Sequence, residues 1–150
     1  MKEDLLERLE RENIKIASFS KRVIAYVIDD FIITCIVFII FYEKFTSGAD
    51  AVQIVRILSN FWLGFLLLQF SYHAIFTYFY GASLGKMACK ILILDEELLD
   101  RPTLVQSCLR SAMRYLSNMA FFLGLVWALG NVYRKTWQDY VARTIVVDVA

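Results

Sequence analysis

The sequence predicts an all-α integral membrane protein: two full transmembrane helices plus a third helical hairpin or re-entrant region, with a small two-stranded cytoplasmic β element. Three observations carry this prediction. Of 150 residues, 59% are hydrophobic, where an average soluble chain holds roughly 45–50% apolar residues. The excess is concentrated: Ile57–Tyr80 and Tyr115–Tyr133 hold no charged residue, and Val23–Tyr42 holds only Asp29 and Asp30. A helix needs about 17–25 such residues to cross roughly 30 Å of hydrocarbon. A soluble enzyme, a disordered tail and a secreted disulfide scaffold are excluded at that step.

Residues 2–16 read as a charged amphipathic helix, because Leu6, Leu9, Asn13 and Ile16 recur at helical spacing among acids and arginines. This segment (1–16) is expected on the cytoplasmic side. It forms either a short coiled-coil contact with Asn13 in its seam or a helix lying on the membrane surface or on the rest of the protein. The transmembrane domain is expected over 17–148. Ser20 is placed to cap a first span running from about Lys21 to Tyr42. Gly48 marks a turn, Ala51–Ser59 starts the second helix early, and that span ends at Tyr80-Gly81 with interfacial aromatics at both ends. A loop with Gly81, Gly85 and Lys86 leads into a short run of branched apolar residues that ends at Asp95, a strand pattern. Pro102 closes this region, and Thr103 with Gln106 forms a capping-box pattern for a helix carrying Arg110 and Arg114 one turn apart. Thr144–Asp148 is a second strand pattern.

Sidedness follows from Lys and Arg. Three plain crossings with the N-terminus inside would leave 11 cations inside and 5 outside; if 103–133 enters and leaves by one face, the division is 14 and 2. The positive-inside tendency favours the second arrangement. So does strand pairing, since Lys90–Asp95 and Thr144–Asp148 can hydrogen-bond only on one side. In this arrangement Arg110 and Arg114 are expected to snorkel toward headgroups. A cleavable signal peptide is not expected, because the charged lead is long and the apolar stretch behind it carries two aspartates.

Cys35, Cys89 and Cys108 form no C-x-x-C pair and read as free thiols. One histidine rules out two-His metal sites, and no phosphate loop or nucleophile elbow is present. No metal, cofactor or nucleic-acid partner is therefore expected, and no enzymatic activity.

The groups that stand out are charges inside apolar runs. A carboxylate at mid-helix costs from about 2.5 to about 10 kcal/mol, so Asp29 and Asp30 need a partner or water. Arg22 lies two turns before Asp29 on nearly the same face, too far for direct contact. In the second span Gln69, His73, Thr77 and Tyr80 align on one face. Asp29 near His73 would make a proton or cation relay. Alternatively, Arg22, Asp29, Arg110 or Arg114, and Asp139 form a structural ion-pair network. Gly81 and Gly85 read as turn glycines, or with Lys86 as an anion site.

Arg22-x-x-Ala25 followed by Asp29 and Asp30, the loop Gly81-Ala82-Ser83-Leu84-Gly85-Lys86 before Ile91–Asp95, Arg110 with Arg114, and Thr136–Val147 stand in the order found in the RDD family of bacterial membrane proteins. The chain resembles that family over roughly residues 17–148. The resemblance implies that Arg22 is the named arginine, Asp29 the first aspartate and Asp139 the second. Gln138 stands where histidine is common, Arg143 where glycine is usual, and Ser83 in place of threonine. Some family members are linked to sodium–proton exchange and others occur as parts of larger assemblies.

Two functions are expected on this basis. One is a component of proton or monovalent-cation (Na+ or K+) transport in the bacterial inner membrane, N-terminus cytoplasmic, working as a homo-oligomer or with another membrane protein. The other is a non-catalytic assembly or scaffold protein whose charges are structural.

Overall fold

The computed structural model of the chain describes residues 4–149, so the first residues of the expected N-terminal helix lie outside it. Helix α1 (Leu5–Arg11) is shorter than its spacing predicts. It stops because Asn13 takes a left-handed backbone, φ 55°, a conformation Asn tolerates better than most residues. Lys15–Ile16 then forms strand β1 rather than continuing the helix. Helix α2 (Phe19–Ile40) begins at Ser18, not Ser20: the Ser18 side chain accepts the Lys21 N–H. After it come α3 (Tyr42–Thr46), α4 (Ala51–Asn60), α5 (Trp62–Tyr80), α6 (Leu84–Ala88) and β2 (Ile91–Asp95). The chain ends with α7 (Leu104–Met119), α8 (Leu123–Val126) running into a 3-10 turn at Trp127–Gly130, α9 (Trp137–Ala142) and β3 (Thr144–Asp148).

The predicted pair of strands forms and gains a third member. The order is β1-β3-β2, all antiparallel, with Ile91 opposite Asp148 and Asp95 opposite Thr144. Alternation gives the sheet two apolar faces. Ile91, Ile93 and Val146 pack with Ala17 and Ala25 of the α2 region. On the other face Leu94, Ile145 and Val147 pack with Leu9 of α1. The amphipathic helix therefore lies on the rest of the protein. Arg8 locks it there by donating to the carbonyls of Glu96 and Glu97.

Among the helices, α2 is long and apolar enough to cross a membrane; α4 with α5, and α7 with Leu123–Gly130, combine length and apolarity only as pairs bent by 56° and 108°. The first bend, at Phe61, lies where its ring covers Gly64 and meets Phe41 edge-on at 4.8 Å. The second follows from Phe121 and Phe122, both with positive φ. The Thr103–Gln106 capping box at the start of α7 is formed.

Polarity is inverted over the helical part. Ile24, Val27, Phe31, Leu63, Leu67, Leu109 and Leu116 are exposed. Along α7 the buried face is instead Ser107, Arg110, Ser111, Arg114 and Ser117. Among the described residues 17 polar or charged residues are buried against 16 hydrophobic ones. A soluble domain buries Arg and Lys only exceptionally. Arg110 and Arg114 thus point into the helix seam and do not snorkel outward along their own helix: the cost of burying them is offset in part by partners that other elements supply.

Candidate functional site

Two of the acids singled out in the sequence, Asp139 and Asp29, each centre a buried cluster where the helices meet the sheet. The first is centred on Asp139, at the third position of α9. Its carboxylate caps its own helix, accepting the Thr136 N–H at 2.9 Å and the Thr136 hydroxyl at 3.0 Å. It also accepts Arg22 Nη1 from α2 at 2.8 Å and Arg110 Nη1 from α7 at 2.5 Å. Arg22 further donates to the Val146 carbonyl, and Arg110 to the Thr144 hydroxyl, both on β3. One fully buried carboxylate thereby ties α2, α7, α9 and β3 together. Burial works to raise the Asp139 pKa, but the Arg110 and Arg22 guanidiniums and the Thr136 N–H outweigh it and hold the carboxyl well below the usual carboxylate range.

The second cluster is centred on Asp29, also fully buried. It accepts the Tyr72 hydroxyl at 2.8 Å, the Ser83 hydroxyl at 2.6 Å and the Gly85 N–H at 2.8 Å. All three donors are neutral, so Asp29 is not a member of the expected ion-pair network. Gly81, with φ 70°, closes α5 as the turn glycine it was read to be. Gly85 is required by close approach: a Cβ there would stand 2.2 Å from the Ala25 carbonyl oxygen and 2.8 Å from Asp29 Oδ1. Because the loop's Gly85 N–H serves an internal carboxylate, Gly81-Gly85-Lys86 does not form the anion-binding loop considered from sequence.

Asp30 faces elsewhere, as a residue about 100° around the helix from Asp29 must. Its side chain is 40% exposed and meets Arg114 Nη2 at 3.4 Å. Arg114 also lies 3.4 Å over the Tyr26 ring, a cation–π contact, and the Tyr26 hydroxyl donates to Asn118. Asp30, Thr34, Gln69, Tyr115 and Asn118 line part of an open cavity of about 390 Å³ between α2, α5 and α7.

The expected Asp29–His73 relay does not form. Tyr72 takes the place beside Asp29, and His73, the next residue and so about 100° around α5, turns toward α7. There His73, Arg110, Arg114 and Lys86 line a small space with Thr77 and Gln138. Burial, followed by the nearby Arg110 and Arg114 guanidiniums, pushes the Lys86 ammonium well below the ordinary lysine range. Of the aligned polar stripe on α5, His73 and Thr77 are buried, whereas Tyr80 at its end is exposed.

Partners missed by sequence reasoning are Tyr72, Ser83, Thr136 and Thr144. Signals existed only for Ser83, which stands between the loop glycines, and for Thr136, three residues before Asp139 in capping-box spacing. Arg143 keeps the turn expected of glycine, at φ 50°. A left-handed backbone costs a non-glycine residue about 1–2 kcal/mol, and the Arg143 side chain is exposed with Glu97 as far as 3.9 Å. Arg143→Gly is therefore expected to raise stability by about 1 kcal/mol, read as a thermal midpoint about 2–4 °C higher for a chain of this size.

No solved structure matches the chain. An uncharacterized protein of Rickettsia prowazekii (strain Madrid E) is 32% identical over 82 residues, which cover 55% of this chain and 45% of that protein. The chain thus matches under half the length of that relative. The RDD family model matches residues 16–143, a span that contains Arg22, Asp29, the glycine loop, Arg110, Arg114 and Asp139. With the central carboxylates of both clusters inside a match that covers most of its length, the chain belongs to the RDD family.

Proposed function

We propose that this chain is a small multi-pass protein of the bacterial inner membrane, with a cytoplasmic N-terminus, that acts without catalysis as an assembly or scaffold unit. It would work with further copies of itself or with another membrane protein. Apolar outward faces on α2, α5 and α7 support the bilayer reading. The sheet supports the sidedness. β1, β2 and β3 are hydrogen-bonded together, so Lys15–Ile16, Ile91–Asp95 and Thr144–Asp148 share one side. On the bilayer reading this favours an even number of crossings between each pair, with two spans before β2 and a re-entrant α7–α8 after it. In this arrangement 14 of the 16 Lys and Arg fall on the cytoplasmic side.

The observation that carries the scaffold reading is the saturation of Asp29 and Asp139. Each has 0% exposure and accepts at least three hydrogen bonds from protein groups. A carboxylate so enclosed is suited to holding elements together rather than to exchanging a proton or a cation with water.

A second reading, proton or monovalent-cation transport, is favoured by Asp30. It is the half-exposed acid, and it opens on the cavity beside Gln69 and Asn118. Proteoliposomes carrying a pH-sensitive dye, pulsed with Na+ or K+, separate the two. The expected outcome is no cation-driven pH change in the parent chain, and parallel losses of expression and thermal midpoint in Arg22→Ala and Asp29→Asn. A flux that vanishes in Asp30→Asn, while that variant melts with the parent, would overturn the scaffold reading in favour of transport.

A further inference from the structure

The space between α5 and α7 holds buried side-chain nitrogens, guanidinium donors among them, that lack a hydrogen-bond partner among the described residues. Arg110 Nη2, Arg114 Nε and Nη1, and His73 Nε2 have no partner among the described residues. Their side chains belong to residues 4%, 4% and 6% exposed. Leaving such a group unpaired is destabilising, and more so when it is charged. The carboxylates nearby leave the guanidiniums under-partnered as well: Asp139 is shared by Arg22 and Arg110, Asp29 is taken up by neutral donors, and Asp30 reaches Arg114 only at 3.4 Å. What Arg110 and Arg114 can still accept is an anionic oxygen.

The shape of the surroundings narrows what could supply it. The polar space measures about 10 Å³, room for about one water-sized oxygen atom. Next to it runs an apolar groove of about 280 Å³, which shares His73, Ser111 and Arg114 with it and continues between Leu66, Phe70 and Leu116. A free phosphate ion would need hydrogen bonds on all sides, and the groove offers few. A phosphate ester attached to a hydrocarbon chain matches both halves. The site lies seven residues before the end of α5, about 10 Å along the helix from the end that faces the sheet.

We infer that the seam between α5 and α7 binds an anionic phospholipid, with a phosphate oxygen against Arg110 and Arg114 and an acyl chain in the Leu66–Phe70–Leu116 groove. This rests on the bilayer reading proposed above and not on either reading of the Asp29 and Asp139 clusters. A bound lipid of this kind supplies an anionic acceptor to the unpartnered guanidinium nitrogens and seals a seam that is otherwise lined by them.

The test uses the full chain purified in a mild neutral detergent, with phosphatidylglycerol, phosphatidylcholine or inorganic phosphate added at equal ionic strength. Thermal midpoint and native mass spectrometry are the readouts. Phosphatidylglycerol is expected to raise the midpoint by about 4 °C or more near saturation and to remain bound in the gas phase; the other two probes should shift it by less than about 1 °C. Arg114→Gln should abolish the phosphatidylglycerol response. Because that variant also loses the Asp30 and Tyr26 contacts, Ala112→Trp provides the second arm. Ala112 is exposed and lines the groove, so this substitution should leave the lipid-free midpoint near the parent's and cut the response at least by half. Equal shifts from phosphatidylcholine or from inorganic phosphate, or an undiminished response in Ala112→Trp, overturn the inference. Carbonate washing of membranes containing the same chain keeps the two failures apart. A chain retained in the membrane that shows no preference for phosphatidylglycerol refutes the lipid site alone, whereas a chain washed free refutes the bilayer reading beneath it.

Discussion

Replacing Asp139 by asparagine is expected to cost the protein about 3–5 kcal/mol, the usual result of removing one partner from a buried ion pair. The amide nearly preserves the shape of the carboxylate, so packing is not the cause. Arg22 and Arg110, 5% and 4% exposed, would be left with their charges uncompensated, and the α9 capping box would lose its ionised acceptor. At a shift of about 2–4 °C per kcal/mol for a chain of this size, the thermal midpoint in detergent should fall by about 10 °C or the variant should fail to accumulate. Acid dependence provides an independent readout. The folded Asp139 carboxyl titrates below its unfolded value, so its stabilisation is complete above about pH 4 and is lost as pH falls from there toward the folded value. Part of the parent's loss of stability below pH 4 should therefore be missing in Asp139→Asn. A variant that melts within a degree of the parent at pH 7 would contradict the central role assigned to this carboxylate.

Gly85→Ala is expected to be nearly as damaging by a different route. The added methyl would stand 2.2 Å from the Ala25 carbonyl oxygen, a backbone atom inside α2 that cannot swing away. Helix α6 must then back off from α2, and the Gly85 and Ser83 donors withdraw from Asp29 together. Overpacking typically costs about 1–3 kcal/mol, and each lost hydrogen bond to a charged acceptor about 1.5–3 kcal/mol. The sum should reach several kcal/mol, measured as lost yield and a lower thermal midpoint. Gly130→Ala is the control, since a Cβ at Gly130 meets no atom within 4 Å; it should change the midpoint little. Ser83→Ala, which removes one donor without a clash, should fall between the two. If Gly85→Ala behaved like Gly130→Ala, the tight α2–α6 contact and the enclosure of Asp29 would both be wrong.

Different parts of this molecule were legible to different degrees. The capping box at Thr103, the turn at Gly81 and the pairing of Ile91–Asp95 with Thr144–Asp148 follow from local spacing, and the structure contains all three. The N-terminal segment misled beyond Arg11. Leu9, Asn13 and Ile16 keep helical spacing, but Asn13 adopts a left-handed backbone and Ile16 gains a strand partner in Val147, 131 positions along the chain. The apolar run beside their helix predicts snorkelling for Arg110 and Arg114; the acceptors that draw them inward lie on α2, α9 and β3. Membership in the RDD family was legible because its residues recur in a fixed order, a property of sequence alone.

The sequence by itself determined where the apolar helices run, which segments can share a side, and which charged residues would need partners. Each of these depends on composition and period within about twenty residues. Only the tertiary structure decided who the partners are. Arg22 meets Asp139 across 117 positions and Gly85 meets Asp29 across 56, and a single chain carries no local record of either distance. The choice of Tyr72 over His73 for Asp29 turns on a rotation of about 100° about the α5 axis. That rotation is set by the summed packing of α5 against α7 and α2 and not by any one residue within it.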